Sequence, residues 1–170
     1  RDARAKGIPI LGEGRIFPFE DAMIAEPPLQ IPEWWPRIVG TDFGYGHPTA
    51  AVWVAWDRDV DCAHVYDCYR RAEATPVIHS AVLRSRGPWP VAWPHDGDNR
   101  DARNSGITLA QQYRDLGCSM LKVRATHPPA KGQKEGDGGV SLEAGLTDMF
   151  DRMQTGRLKV AKHLTLFFEE

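Results

Sequence analysis

The apolar positions along the chain come first as strand-length runs and later at helical spacing. Ile38, Val39 and Phe43 give residues 37–44 the texture of a strand. Residues 49–56 (TAAVWVAW) are apolar almost throughout, as expected of a strand covered on both faces. A polar turn at 57–61 leads into a third strand at 62–70, and two short connections in succession predict an antiparallel meander. Helical spacing follows. Thr75 before Pro76 is an N-cap with proline at the first helical position, and predicts a helix to about Ser85 that buries Val77, Ile78, Ala81 and Val82. Residues 91–93 read as a short buried strand ending at Pro94-His95-Asp96-Gly97. Ser105 is placed to cap a helix through Leu116, with Ile107, Leu109, Ala110 and Tyr113 on one stripe and Gly117 as its stop. Residues 120–123 supply a fifth strand.

The two ends differ from this middle. Residues 1–36 hold Gly12, Gly14, Pro18, Pro27, Pro28, Pro32 and Pro36, and are expected to be a lead-in with at most a short strand at 15–17. Residues 127–139 are a Gly-, Pro- and Lys-rich loop, residues 141–154 a helix ended by Gly156, and residues 158–161 a short strand before a last helix begins at 164. The sum is α/β, a mixed five-stranded sheet flanked by helices, over residues 37–170. The chain opens on Arg and closes on Glu without an initiator Met, and reads as a piece of something longer.

Composition narrows function only a little. An apolar content of 42% and a charged content of 26% are ordinary for a soluble domain, and no apolar run approaches the roughly 20 residues of a membrane span. Cys62, Cys68 and Cys118 are too few, and odd in number, for a disulfide framework. A net charge of -2 excludes a uniformly basic nucleic-acid binder but allows a basic patch beside an acidic site.

Three acidic positions change the picture. Asp42, in Gly40-Thr41-Asp42-Phe43-Gly44, sits among apolar strand residues, where a lone carboxylate is costly unless something pairs with it. Asp96 stands at the carboxyl end of the fourth strand, the edge where open α/β sheets bind ligands. Asp148 lies on the late helix, with Asp151 and Glu143 as rivals, and Gly145 is expected to let that helix approach the sheet edge. A carboxylate cluster with open water positions suits Mg²⁺ or Mn²⁺. Two such ions can activate water and stabilise the leaving oxygen of a phosphodiester. The plainer alternatives are turn chemistry for Asp42 and Asp96 and a solvated helix surface for Asp148.

A first-strand Asp, a fourth-strand Asp and a late-helix Asp resemble the ribonuclease H-like nucleases. The resemblance narrows with Gly14-Arg15-Ile16-Phe17-Pro18, Gly40-Thr41-Asp42-Phe43-Gly44 with His47-Pro48, and Ala92-Trp93-Pro94-His95-Asp96-Gly97. It continues through Glu143-Ala144-Gly145-Leu146-Thr147-Asp148-Met149 and Arg152-Met153-Gln154-Thr155-Gly156-Arg157. In this order, and over nearly the whole chain, these blocks are similar to the large terminase subunits of tailed phages and prophages. That resemblance implies neighbouring first and fourth strands, so that Asp42 and Asp96 meet and the late helix brings Asp148 to them. It implies an endonuclease domain that cuts double-stranded DNA during genome packaging, with two Mg²⁺ or Mn²⁺ ions on Asp42, Asp96 and Asp148. An upstream ATPase domain, absent here because no Gly-x-x-x-x-Gly-Lys-Ser/Thr loop occurs, is also implied, with residues 1–36 leading in from it and residues 37–170 ending inside the last family block. A small terminase subunit and a portal ring are the implied protein partners, and the bacterial host cytoplasm the implied location. The length of the loop at 128–138 departs from the family pattern.

Lys122, Arg124, Lys131 and Lys134, together with Arg152, Arg157, Lys159 and Lys162, flank the acids as candidate phosphate contacts. His95 is read as structural or as orienting a metal-bound water. Cys62, His64 and Cys68 share a strand face without the fourth ligand a structural zinc site needs. Trp53, Trp56, Trp89 and Trp93 are assigned to the core rather than to base stacking. The rival functions are a resolvase or transposase of the same chemistry, an actin-like nucleotide-binding ATPase, and a non-catalytic docking domain.

Overall fold

The computed structural model describes residues 17, 19–44, 46–100, 106–128, 139 and 142–169. Its strands are β1 (Ala25–Glu26), β2 (Arg37–Asp42), β3 (Thr49–Asp57), β4 (Cys62–Arg71), β5 (Val91–Ala92) and β6 (Leu158–Ala161). Its helices are α1 (Asp21–Ile24), α2 (Pro76–Ser85), α3 (Leu109–Asp115), α4 (Leu142–Gln154) and α5 (Thr165–Phe168). The sheet has six strands rather than five, in the order β1-β6-β4-β3-β2-β5. It is mixed: β6 lies parallel to both β1 and β4, and β5 parallel to β2. Between β2 and β3, and between β3 and β4, the connections are far shorter than the dozen or so residues a parallel crossover needs, so these neighbours form the antiparallel meander.

The strand count differs for local reasons. Pro90 and Pro94 bracket β5 and have no N–H to donate, so β5 is two residues long and offers little to pair with. The expected strand at 120–123 is therefore reduced to one bridge, Met120 to Val91. At the other edge, Ala25 and Glu26, inside the stretch expected to be lead-in, pair with Val160 and Ala161, and Ile24 before them is buried. The expected strand at 15–17 falls largely outside the described residues.

The chain divides into two compact units. The first gathers Arg1–Trp35, Ala55–Tyr66 and Thr126–Glu170, and the second Pro36–Val54 and Asp67–Ala125. In the second, Val39, Trp53, Leu83, Val91, Trp93, Ala110 and Tyr113 are buried. Arg86 lies 4.5 Å from the Trp53 ring centroid and pairs with Asp67 at 2.7 Å. Helix α2 has the predicted bounds but not the predicted face. It buries His79, Ser80 and Leu83 and leaves Val77 60% exposed, because a polar pair, Tyr69 hydroxyl with His79 Nδ1 at 2.9 Å, takes the inner side. The cap of α3 is Thr108, whose Oγ1 accepts from the Gln111 N–H at 3.2 Å; the expected cap Ser105 lies outside the described residues. Gly117 stops this helix with φ +85.

In the first unit, α4 turns Leu146 and Met153 inward, and Phe150 meets Phe19 with ring centroids 5.0 Å apart. Leu158, Val160 and Ala161 of β6 are buried. His64 Nδ1 lies 2.7 Å from Glu26 Oε1, which ties β4 to the β1 segment. Trp53 and Trp93 are core residues as expected, while Trp56 is 42% exposed. The three cysteines are free.

Candidate functional site

Strands β2 and β5 run parallel with Val39 opposite Val91 and Gly40 opposite Ala92. The Val39 N–H donates to Pro90 O at 2.8 Å, and the Thr41 hydroxyl donates to Ala92 O at 2.9 Å. Both strands therefore end on the same side. Asp42 is the last residue of β2, and Asp96 lies in the 3₁₀ turn His95–Asp98 just beyond β5. The two aspartates singled out in the sequence thus share one edge of the second unit.

Asp42 is exposed, not buried among apolar neighbours as its sequence context suggested. As the final strand residue it stands where the ladder ends and its carboxylate can be solvated. Among the described residues no cation or hydrogen-bond donor pairs with that carboxylate. The chain around it is fixed: Phe43 packs on Tyr113 at 4.9 Å between centroids, and the Gly44 N–H donates to Thr49 Oγ1, whose hydroxyl donates back to Gly44 O at 2.8 Å. A Cβ at Gly44 would come within 2.4 Å of the His47 carbonyl oxygen, so this return needs glycine. Thr49 and Gly44 were not read as site residues; the Phe-Gly pair after Asp42 was the available signal.

Asp96 is half-buried, and its Oδ1 lies 3.0 Å from His95 Nε2. The turn around it is closed by the Gly97 N–H to Pro94 O and the Asn99 N–H to Asp96 O, each at 3.0 Å. Asp98 pairs with Arg124 at 3.2 Å.

Asp148 belongs to the first unit, on α4. Its side chain is 70% exposed, and Arg152 Nε reaches it from one turn on at 3.3 Å. The rival Asp151 is held by Arg157, whose Nη1 also reaches Asp61 Oδ2 at 2.9 Å. Arg152 Nη1 contacts Asp61 Oδ1 at 3.4 Å, and the Trp56 indole donates to the same oxygen at 3.0 Å. The Arg157 guanidinium, and then the indole, hold the Asp61 carboxyl below its ordinary pKa of 3.8. Asp61, read in the sequence only as part of a polar turn, is the hub of an ion network, with φ +50 in a non-glycine residue. The rival Glu143 has no described side chain. Gly145 faces the His127 ring, which an added Cβ would meet at 3.6 Å, rather than giving a close approach to a strand. Among the described residues no three His, Cys, Asp or Glu side chains gather closely enough to hold a metal ion. Asp42 and Asp96 share the edge of the second unit, and Asp148 belongs to α4 of the first.

The basic candidates divide similarly. Lys122 is exposed, and Arg114 braces the backbone before it by donating to Leu121 O at 2.7 Å. Arg124 is paired with Asp98, Arg152 and Arg157 with the acids above, and Lys159 Nζ donates to Met23 O at 3.1 Å. Lys162 is exposed, while Lys131 and Lys134 lie outside the described residues.

Comparison with known proteins joins this geometry to a family. The family model described as a terminase RNaseH-like domain matches residues 39–170. The chain is 39% identical over 171 residues to the terminase large subunit of Enterobacteria phage LP7, a match covering 100% of this chain and 34% of that protein. It therefore spans about a third of the length of that relative. The solved P22 large terminase nuclease domain is 36% identical, with a TM-score of 0.79 over 94% of this chain and 78% of that one. The large terminase nuclease of thermophilic phage G20c, solved with bound cobalt, shares the fold at 16% identity, with a TM-score of 0.51 over 82% of this chain and 70% of that one.

Proposed function

Because the chain belongs to the terminase RNaseH-like domain family, as the nuclease domain of a large subunit, we propose that it is a divalent-metal-dependent endonuclease that hydrolyses phosphodiester bonds of double-stranded DNA. The observation that supports this reading is that β2 and β5 are neighbouring parallel strands, with Asp42 at the carboxyl end of the first and Asp96 in the turn just beyond the second. The donor set fits: accessible carboxylate oxygens, one of them without a cation among the described residues, are ligands for a hard ion such as Mg²⁺ or Mn²⁺.

Asp42 and Asp96 would hold two such ions with Asp148 as the third carboxylate. Asp148 is preferred to Asp151 because its side chain is the more exposed, 70% against 56%, and its 3.3 Å contact with Arg152 is looser than the pair Asp151 makes with Arg157. Bound ions of this kind supply water activation and charge stabilisation at a phosphodiester. His95 Nε2 lies 3.0 Å from Asp96 Oδ1, where it would help orient the carboxylate. Lys122, Arg124, Lys131, Lys134, Arg152, Arg157 and Lys159 would contact phosphates on either side of the scissile bond, without reading sequence. An upstream ATPase domain reached through residues 1–36, a small terminase subunit, a portal ring and a place in the host cytoplasm belong to the same proposal and rest on family membership.

Plasmid cleavage with Mn²⁺ or Mg²⁺, with and without chelator, tests it. Cleavage is expected only with metal, and Asp42→Asn and Asp96→Asn are expected to abolish it while melting at or above the wild-type temperature without metal, since each removes a negative charge from the edge. Equal cleavage in chelator, or full activity in Asp42→Asn, would overturn the reading.

A further inference from the structure

The turn that carries Asp96 rests on a single aromatic ring. Trp93, the residue after β5, is buried, and both its indole and its backbone are held. Its Nε1 donates to Leu121 O at 2.9 Å, its carbonyl accepts from the Ala125 N–H at 2.8 Å, and the Arg114 guanidinium lies 5.6 Å from the ring centroid. Gly97, the residue after Asp96, is buried directly against this ring. A Cβ at position 97 would fall 2.2 Å from Trp93 Cε3 and 2.8 Å from Cζ3. The glycine is not there for its backbone freedom, because the positive-φ glycines of the described chain are Gly87, Gly106, Gly117 and Gly156. What position 97 requires is the absence of a side chain.

We propose that Trp93 and Gly97 are positioning residues for Asp96. The indole is a rigid floor, and glycine lets the turn settle onto it so that the Asp96 carboxylate stays at the edge it shares with Asp42. On the strand side, the Thr41 hydroxyl bonded to Ala92 O ties the base of this turn to the strand that carries Asp42. A methyl group at 97 cannot push the ring aside, since the indole is pinned by its own hydrogen bond to Leu121. The turn must lift instead, and the carboxylate moves with it. This inference rests on the reading of Asp96 as a metal ligand.

The test is Mn²⁺ binding to the whole chain, followed by calorimetry below the melting temperature. The variants are Gly97→Ala, Trp93→Phe, the double variant and Asp96→Asn. Gly97→Ala is expected to weaken Mn²⁺ binding by about tenfold or more, as loss of support for a metal ligand does. The double variant, whose shorter ring lacks the edge that Cβ would strike, is expected to recover to within about threefold of Trp93→Phe alone, because the two substitutions couple through contact. A merely structural role predicts a lower melting temperature with unchanged Mn²⁺ affinity, and that result overturns the proposal. Should Gly97→Ala fail to fold, Trp93→Phe decides: loss of Mn²⁺ affinity supports the floor, and wild-type affinity removes it. Asp96→Asn separates the two levels. If it binds Mn²⁺ like the wild type, the reading of Asp96 fails and the positioning role with it. If it loses binding while Gly97→Ala keeps it, only the positioning role falls.

Discussion

His79 is buried on α2 with Nδ1 2.9 Å from the Tyr69 hydroxyl and Nε2 without a partner among the described residues. Burial lowers its pKa below 6.5, Arg71 adds to the shift, and a hydrogen bond with the Ala74 backbone opposes it. The folded protein therefore holds this imidazole neutral in a range where the unfolded chain takes up a proton. The resulting stability is fully present above pH 6.5 and declines as pH falls below 6.5 towards the folded pKa. Urea midpoints for the wild type should accordingly fall between about pH 7 and pH 5.5, and those for His79→Gln should fall less. Parallel pH profiles for the two proteins would assign the sensitivity to another group. The same residue shows where sequence patterning stops. His79 looks polar, so the apolar Val77 and Ile78 were read as the inner face of α2, yet a polar group with an internal partner took that place.

Signals written into one or two neighbouring residues were legible at the scale of elements. Proline at the first position of α2 and the glycines that end α3 and α4 set boundaries the structure keeps, because each acts on its own backbone. Asp96 was placed for a related reason, since Pro94-His95-Asp96-Gly97 marks the end of a strand, whereas Asp42 was read inside strand 37–44 and instead ends β2. Asp61 was not, since its two arginines lie 91 and 96 positions away and a turn Asp has an ordinary local explanation. That network bears on which acid of α4 is proposed as the third ligand. Asp148→Ala is expected to lower plasmid cleavage at saturating Mn²⁺ by orders of magnitude with little change in melting temperature. Asp151→Ala should keep cleavage within about tenfold, or 1.4 kcal/mol of barrier. It should melt slightly lower, since exposed pairs contribute about 0–1 kcal/mol. A dead Asp151→Ala beside an active Asp148→Ala would move the third ligand by one helical turn.

Over the whole molecule the charge is -2, so any grip on DNA has to come from particular cations rather than from a general field. Many of those cations are already occupied: Arg124 by Asp98, Arg152 by Asp61 and Asp148, and Arg157 by Asp61 and Asp151. A paired arginine that turns to a phosphate exchanges one anion for another and releases few counterions, whereas exposed Lys122 gains a partner outright. Duplex binding should therefore be weak and only moderately salt-dependent, each freely contacting lysine adding about 0.9 to the slope of log K against log salt. The Asp42→Asn protein, expected to be inactive, allows this to be measured by anisotropy without cleavage. On that background Lys122→Ala should flatten the slope by about 0.9 and leave the melting temperature unchanged. Arg157→Ala should flatten it less and melt lower, because Asp61 and Asp151 lose their shared cation. If Arg157→Ala instead flattens the slope as much as Lys122→Ala and melts like the wild type, Arg157 is a phosphate contact first and its carboxylate pairs are incidental.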